Sequence, residues 1–164
     1  MVARGEADAG LKYSMAPERG LHIEHQQPAP VMLIVAPGHP LASRRRVALA
    51  DAARYALGMP VASTTLRQTL DLVYGIHGLR QNIACTGDLG TLLALVERGE
   101  LVVFSSALSV SHLVSRQRVV AVPVPELRFY PRNLQVLTYE QSPPAGLQRV
   151  FVDHLMAAVS DPGG

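Results

Sequence analysis

The stretch VMLIVAPGHPLASRRR, residues 31–46, joins five consecutive apolar residues to a corner rich in proline and glycine. An apolar run without polar interruption indicates a strand that is buried on both faces. Pro37, Gly38 and Pro40 end this strand, because proline fixes its own φ angle and restricts the residue before it. The stretch therefore predicts a central strand followed at once by a rigid change of direction.

Strand-like and helix-like apolar patterns alternate along the rest of the chain. Further strands are predicted at 7–13, 21–25, 57–62, 82–86, 101–106, 119–124 and 134–140. Helices are predicted at 47–54, from Thr65, from Thr86 or Asp88, and from Ser142-Pro143. Pro60 suggests that the strand at 57–62 is an edge strand or carries a bulge. The alternation predicts an α/β domain with parallel strand pairing.

Two of the helices have specific predictions attached. Thr65 and Gln68 have the spacing of a capping box, and Gly75 or Gly78 is expected to end the helix that they begin. The last helix is expected to bury one apolar face, made of Leu147, Val150, Phe151 and Leu155.

The composition is that of a folded domain with a substantial core. Of the 164 residues, 48% are hydrophobic and 17% are charged, and the formal net charge is +2. This charge is too small to indicate nucleic-acid binding. With Cys85 as the only cysteine, an intrachain disulfide and a paired-cysteine zinc site are excluded. No membrane-spanning run or signal core is found, so a cytoplasmic location is expected.

Two polar stretches have competing interpretations. The triplet at 44–46, three arginines, is interpreted as a solvated corner, with a phosphate-binding patch as the alternative. In the stretch HIEH, His22 and Glu24 share one face of a strand while His25 points away, and no third ligand is evident. We therefore predict no metal site there, and we expect Cys85 to be a buried, inert thiol.

Polar side chains follow two predicted strands at the point where a helix begins. Ser63, Thr64 and Thr65 follow one strand, and Thr86 and Asp88 follow another. In parallel sheets, ligands gather at the carboxyl ends of the strands, and the amides of a helix start suit a carboxylate, sulfate or phosphate. The alternative is that these hydroxyls only cap the helices.

Several long stretches resemble the effector-binding domain of LysR-type transcriptional regulators. They are RGEADAGLKY (4–13), VMLIVAPGHPLASRRRVALADAARY (31–55), STTLRQTLDLVYGIHGL (63–79), CTGDLGTLLALVERGELVVFSSAL (85–108) and VPVPELRFYPRNLQVLTYEQSPPAGLQRVFVDHL (122–155). The resemblance implies an α/β, periplasmic-binding-protein-like (type 2) fold, with two subdomains joined by crossing strands at 31–35 and 134–140. It implies a remnant of the first subdomain at 1–30, the second subdomain at 31–136 and a return to the first at 137–164.

The same resemblance implies a sensor and not an enzyme. It would bind a small, anionic metabolite in a cleft between the subdomains and modulate DNA binding by a winged helix-turn-helix that this chain lacks. The residues implied at the effector site are Ser63, Thr64, Thr65, Thr86, Asp88, Phe104 and Ser105. The resemblance implies a homodimer or higher oligomer. It implies no cofactor and no membrane partner. The alternative is a solute-binding protein of a transport system, which has the same fold.

The chain departs from the family pattern in two respects. Leu101 stands where the family has a glycine, and Ser106 where it has a proline, which affects one wall of the pocket. The opening strand–helix unit of the first subdomain is also lacking, so we expect open sheet edges and a tendency to associate.

Overall fold

The computed structural model describes residues 2, 7–14, 19–141 and 144–160. The predicted start of the last helix at Ser142-Pro143 lies outside this range. So do residues 4–6 of the first matching stretch and residues 161–164 of the C-terminal tail.

The described residues form eight β-strands and five α-helices. The strands are β1 (Ala9–Ser14), β2 (Leu21–Pro28), β3 (Val31–Val35), β4 (Leu57–Pro60), β5 (Ile83–Gly87), β6 (Val102–Ser106), β7 (Val120–Pro123) and β8 (Asn133–Tyr139). The helices are α1 (Leu49–Ala52), α2 (Thr65–Ile76), α3 (Leu89–Glu97), α4 (Ser111–Ser115) and α5 (Leu147–Ser160). The predicted α/β class is confirmed, although α1 is shorter than the helix predicted at 47–54.

The chain divides into two compact units. The first unit consists of residues 1–29 and 131–164, and the second of residues 30–130. The strand β3 lies wholly in the second unit and β8 wholly in the first. The chain therefore passes between the units at Ala29-Pro30 and again at Tyr130-Pro131.

The second unit is built on a five-stranded sheet with the order β5-β4-β6-β3-β7. The strand β4 is parallel to both β5 and β6, as predicted, whereas β3 is antiparallel to β6 and β7. Parallel pairing follows from the helices α2 and α3, which return the chain to the same end of the sheet. As a result, β4, β5 and β6 all end at one edge of the sheet.

The strand β3 contributes to a core on each face of this sheet. Leu33 and Val35 pack with α1 and α2 on one face, and Ile34 packs with α3 on the other. All three side chains are fully buried, and each such burial stabilises the fold by about 1.5–3 kcal/mol. The prediction of a strand buried on both faces is confirmed.

The corner after β3 turns the chain back onto the core of its own unit. The N–H of His39 donates to the carbonyl of Ala36 over 3.0 Å, and Nδ1 of His39 accepts from the N–H of Leu41 over 3.2 Å. The His39 ring meets Tyr55 edge-on at 4.5 Å. Burial at this contact lowers the pKa of His39, so the ring is neutral near pH 7.

Of the two alternatives that Pro60 suggested for this strand, an edge position is wrong, whereas an irregularity in the pairing of the strand is present. The strand β4 lies between β5 and β6, and the irregularity in its pairing with β5 falls at the other end, between Leu57 and Gly58. Pro60 is the last residue of the strand, beyond the pairing of β4 with β6. Its missing N–H therefore removes no hydrogen bond from that side of the sheet.

The first unit contains a three-stranded antiparallel sheet and the helix α5. The strand β8 is central, with β1 and β2 on either side. Gln27 on β2 donates to the carbonyl of Val159 over 2.9 Å, and Arg149 on α5 donates to Glu24 over 2.8 Å. These polar contacts hold α5 against β2.

The helix α5 packs through a face other than the predicted one. Three of the predicted buried residues are exposed, namely Leu147, Val150 and Phe151, with Leu147 87% exposed. Leu155 is half-buried, whereas Val152 and Val159 are buried. The prediction is wrong because apolar residues occur around much of this helix, and the pattern alone does not say which of them meets the sheet. No helix in the described ranges is long and apolar enough to span a membrane.

Candidate functional site

The junction between β4 and α2 presents a row of hydroxyls. Thr64, and not Thr65 as predicted, caps the helix: its Oγ1 accepts from the N–H of Arg67 over 3.3 Å and donates to the carbonyl of Val61 over 2.9 Å. Ser63 and Thr65 flank the cap, and both are exposed. Their hydroxyls are therefore accessible at the start of the helix.

The junction between β5 and α3 is capped by a carboxylate. Oδ1 of Asp88 accepts from the N–H of Thr91 over 3.0 Å, and Oδ2 accepts from its hydroxyl over 2.8 Å. These hydrogen bonds, led by the one from the Thr91 backbone, hold the pKa of Asp88 below its usual value. Thr86 precedes this cap on β5 and is exposed.

The sheet register brings the two junctions together. Met59 lies opposite Thr86, and Pro60 lies opposite Gly87, in the parallel pair of β4 and β5. Both strands end at this level, so both helix starts lie at the same sheet edge. Residues that are more than twenty positions apart in sequence thus become neighbours.

Phe104 and Ser105 differ from the other predicted site residues in their burial. The Phe104 side chain is 1% exposed and meets Tyr74 of α2 edge-on at 6.3 Å, inside the core. Ser105 is also buried, in the part of β6 that pairs with Met32 of β3. Phe104 therefore packs beneath the edge where the exposed hydroxyls lie.

The two departures from the family pattern have structural explanations. Ser106, at the proline position, accepts a hydrogen bond from the N–H of Ser109 over 3.1 Å and so contacts the 3-10 turn at Leu108–Val110. Leu101, at the glycine position, is buried in the core cluster around α3. Both residues are thus used within the second unit itself.

The two helix starts have opposite electrostatic character. Helix geometry leaves the N–H groups of Thr65 and Leu66 without an intrahelical acceptor, and the helix dipole makes this end of α2 partly positive. At α3 the Asp88 carboxylate bonds the N–H of Thr91 and so places a negative charge at the helix start. An anionic group is therefore favoured at α2, and a hydroxyl or amine donor is favoured near Asp88.

Arg67 is a residue of this edge that the sequence reasoning missed. Its Nε donates to both carboxylate oxygens of Asp71, over 2.9 and 3.0 Å, and its Nη1 reaches the carbonyl of Pro60 at 3.4 Å. The signal was present in the sequence, since Arg67 and Asp71 have the i,i+4 spacing of a helical ion pair. Arg67 links the end of β4 to the first turn of α2.

The stretch HIEH serves structure in the first unit. Glu24 accepts from the hydroxyl of Thr138 over 2.9 Å and from Arg149 over 2.8 Å. Burial raises the pKa of Glu24, but these hydrogen bonds outweigh it and leave that pKa below its usual value. Among the residues that the structure describes, no group of histidine, cysteine, aspartate and glutamate side chains is arranged to hold a metal ion.

Cys85 and the arginine triplet have surroundings that are explained by the fold. Cys85 is half-buried on β5 and packs against the cluster around α3. The triplet at 44–46 is exposed, and Arg44 lies 3.7 Å from Asp51. The exposed triplet agrees with its interpretation as a solvated corner, whereas Cys85 is less buried than predicted.

The chain is similar in structure to effector-binding domains of bacterial regulators. The CcmR regulatory domain from Synechocystis PCC6803, solved in complex with 2-PG, has a TM-score of 0.72 and 18% identity, covering 98% of this chain and 77% of that chain. The QuiR effector-binding domain, solved in complex with shikimate, has a TM-score of 0.72 and 16% identity, covering 98% and 75%. HinK from Pseudomonas aeruginosa, a LysR family regulator, has a TM-score of 0.64 and 16% identity, covering 96% and 55%.

The family is identified by comparison of the sequence with a family model. The comparison with curated protein sequences found no match to this chain. The family model described as "LysR substrate binding domain" matches residues 1–160. This match decides against the alternative of a solute-binding protein of a transport system, and the neighbours support the periplasmic-binding-protein-like type 2 fold. The chain belongs to the LysR substrate-binding domain family and is an effector-sensing domain of a transcriptional regulator.

Proposed function

We propose that this domain senses a small organic anion and that the edge of the second unit's sheet forms part of the effector site. The residues proposed to contact the effector are Ser63, Thr64, Thr65, Thr86, Asp88 and Ser105. Phe104 would support this edge from the core below. The observation that carries the proposal is the register of β4 and β5, in which Met59 faces Thr86 and Pro60 faces Gly87.

The polarity of the two helix starts supports an orientation for the effector. Its carboxylate or phosphate would face the start of α2, where Thr65 offers both a hydroxyl and a backbone N–H. A hydroxyl of the effector would face Thr86 and Asp88, because the Asp88 carboxylate accepts hydrogen bonds and repels an anion. The expected ligand is therefore an organic acid that also carries a hydroxyl group. A molecule with two acidic groups and no hydroxyl is not expected to bind.

The structurally similar regulator domains support a small organic acid as the ligand. The CcmR domain was solved with 2-PG and the QuiR domain with shikimate. Both have low identity to this chain, so they support the class of ligand and not its name. Shikimate is a suitable first probe because it carries a carboxylate and hydroxyls.

Calorimetry with a panel of organic acids tests the proposal. The panel contains shikimate, benzoate and small hydroxy acids, titrated into the wild-type chain and into Thr65→Val and Thr86→Val. We expect Thr65→Val to weaken binding by about 10-fold or more, the usual effect of losing a hydrogen bond to a charged group. Thr86→Val loses a hydrogen bond to a neutral hydroxyl and is expected to weaken binding by about 2- to 10-fold. Ser115→Ala is the matched control, since this exposed hydroxyl lies on α4 and bonds only to the carbonyl of His112.

The outcome for Thr65 decides the residue assignment. Unchanged affinity in Thr65→Val would remove this residue from the site, and unchanged affinity in both variants would remove the whole sheet edge. Equal weakening in Ser115→Ala would show that the losses are not specific to the edge.

The biological consequence is a change in DNA binding by the intact regulator. Effector binding would shift the domain between conformations with different affinity for the ligand, and the shift would be transmitted through a homodimer or higher oligomer to a winged helix-turn-helix. We place this regulator in the cytoplasm, with no catalytic activity, no cofactor and no membrane partner. Electrophoretic mobility shift with the intact protein, with and without the acid found by calorimetry, tests this link.

A further inference from the structure

Arg132 is a buried cation in the first unit that has no anionic partner among the residues that the structure describes. It directly precedes β8 and is 7% exposed. Its Nε has no hydrogen-bond partner within the described ranges. Across the described ranges, no carboxylate forms an ion pair with its guanidinium.

The other partly buried arginines in the described part of the chain are neutralised. Arg67 is paired with Asp71, and Arg149 is paired with Glu24 and Asp153. Arginine stays protonated in proteins, so the charge of Arg132 is permanent. Burying a charge without a partner costs free energy, and this makes Arg132 the unusual case.

Arg132 is held through both its side chain and its backbone. Its guanidinium carbon lies 4.8 Å from the centroid of the Tyr13 ring, a cation–π contact. Its carbonyl accepts from the N–H of Ala29 over 2.8 Å. The guanidinium is thus positioned before any ligand arrives.

The surroundings of Arg132 are the meeting point of three strand ends. Asn133, the first residue of β8, pairs with Ser14 at the end of β1 and with Pro28 at the end of β2. Burial lowers the pKa of Arg132, and the Tyr13 side chain raises it by a smaller amount. A bound anion would reverse this lowering and remove the cost of the buried charge.

We propose that Arg132 binds an oxyanion, a carboxylate, phosphate or sulfate group, at this end of the three-stranded sheet. A guanidinium matches two oxygens of such a group with two parallel N–H bonds, whereas a Tyr13 ring alone supplies no hydrogen-bond acceptor of that geometry. This anion site belongs to the first unit and does not depend on the effector residues proposed in the second.

Two sources of the oxyanion are possible, and the experiment separates them. One is a free inorganic ion, and the other is the acidic group of an organic metabolite. The probes are inorganic phosphate, inorganic sulfate, shikimate and benzoate, each titrated into the full 164-residue chain.

Nuclear magnetic resonance of the arginine Nε–H groups gives a direct readout. The Arg132 signal is assigned by through-bond experiments from the backbone, so the assignment does not depend on a variant. We expect a saturable shift of this signal with at least one probe, and no such shift of the exposed Arg128. Saturation with phosphate or sulfate identifies a general oxyanion site, whereas saturation with shikimate or benzoate alone identifies a site for an organic acid. An Arg132 signal that moves with none of the probes overturns the proposal.

Substitution provides the second measurement. Arg132→Gln is expected to weaken the binding of the responding probe by about 10-fold or more, and Arg132→Lys by less, because lysine keeps the charge but loses the paired N–H groups. Arg128→Gln is the matched control and should leave affinity unchanged, since Arg128 is exposed and stacks on Phe129. Unchanged affinity in a folded Arg132→Gln overturns the proposal.

The outcome is distinguishable from that of the effector site. Thr65→Val would alter the affinity for an organic acid at the second unit while leaving the Arg132 signal responsive to phosphate. The Arg132 resonance can therefore shift even if Thr65 proves to lie outside the effector site. It can also fail to shift even if Thr65 proves to bind the effector.

Discussion

The ring of Tyr74 on α2 meets the ring of Phe104 on β6 edge-on, with centroids 6.3 Å apart and ring planes 82° apart. This contact joins the helix that follows β4 to the strand beside β4. Both rings are fully buried, yet the Tyr74 hydroxyl has no hydrogen-bond partner among the described residues. Burial raises the pKa of this phenol, so it stays uncharged at physiological pH.

Replacing Tyr74 by phenylalanine is expected to stabilise the fold. The variant keeps the ring contact with Phe104 and removes a buried polar group whose desolvation costs about 1–3 kcal/mol. We expect the free energy of unfolding in urea to stay equal or to rise by about 1 kcal/mol. A clear loss of stability would mean that the hydroxyl is hydrogen-bonded in solution.

Replacing Gly58 by alanine is expected to destabilise the fold by about 1–3 kcal/mol, because an added Cβ overpacks the core. That Cβ would lie 2.9 Å from Leu92 and 3.0 Å from both Leu101 and Val103. The matched control is Gly75→Ala on α2, where a Cβ meets nothing within 4 Å. This control is expected to gain about 0.5–1 kcal/mol from helix propensity. Equal effects of the two changes, measured by urea unfolding, would contradict the packing around β4.

The hydroxyls of Thr64 and Thr65 are expected to have separable roles. Thr64→Val removes the cap of α2 and should lower the free energy of unfolding by about 1 kcal/mol. Thr65→Val removes an exposed hydroxyl and should change it by less than about 0.5 kcal/mol. Thermal and urea unfolding of both variants without ligand checks this difference. The reverse ranking would return the cap to Thr65.

The cap of α3 is expected to make stability depend on pH. Since the folded-state pKa of Asp88 lies below its unfolded value, the carboxylate stabilises the fold above the unfolded pKa, near about 4. That contribution is lost as the pH falls through the folded pKa. The melting temperature of the wild type should therefore exceed that of Asp88→Asn more at pH 7 than at low pH. If the difference in melting temperature is the same at both pH values, the charge of the Asp88 carboxylate does not contribute to the stability of the cap.

The face of α5 that packs on the first unit is expected to be distinguishable by mutation. Phe151→Ser, on the exposed face, should change the free energy of unfolding by no more than about 0.5 kcal/mol. Val152→Ala removes two buried methyl groups and should cost about 2 kcal/mol. Urea unfolding measures both. A larger cost for Phe151→Ser would show that the originally predicted face is the buried one.

Much of the fold could be predicted from local patterns. The run at 31–35 is short, wholly apolar and followed by a Pro/Gly cluster, which favours a buried strand, and proline's fixed φ angle prevents its continuation past Pro37. The helix starting after Thr64 and the helix starting after Asp88 are both marked by capping residues and apolar spacing. These features depend on neighbours in the chain, so the residues that specify them are close together in sequence.

Other features depended on residues that are distant in sequence. The exposed face of α5, the interior position of β4 and the unpaired guanidinium of Arg132 had no local signal. A helix with apolar residues on several sides buries the side that its sheet covers, and that choice is made by the packing of β2 against α5. The candidate site follows the same rule: its hydroxyls are visible in the sequence, but only the parallel register of β4 and β5 places Thr86 beside the start of α2. Local chemistry thus specified the parts, and long-range pairing, which no short stretch encodes, specified which of them meet.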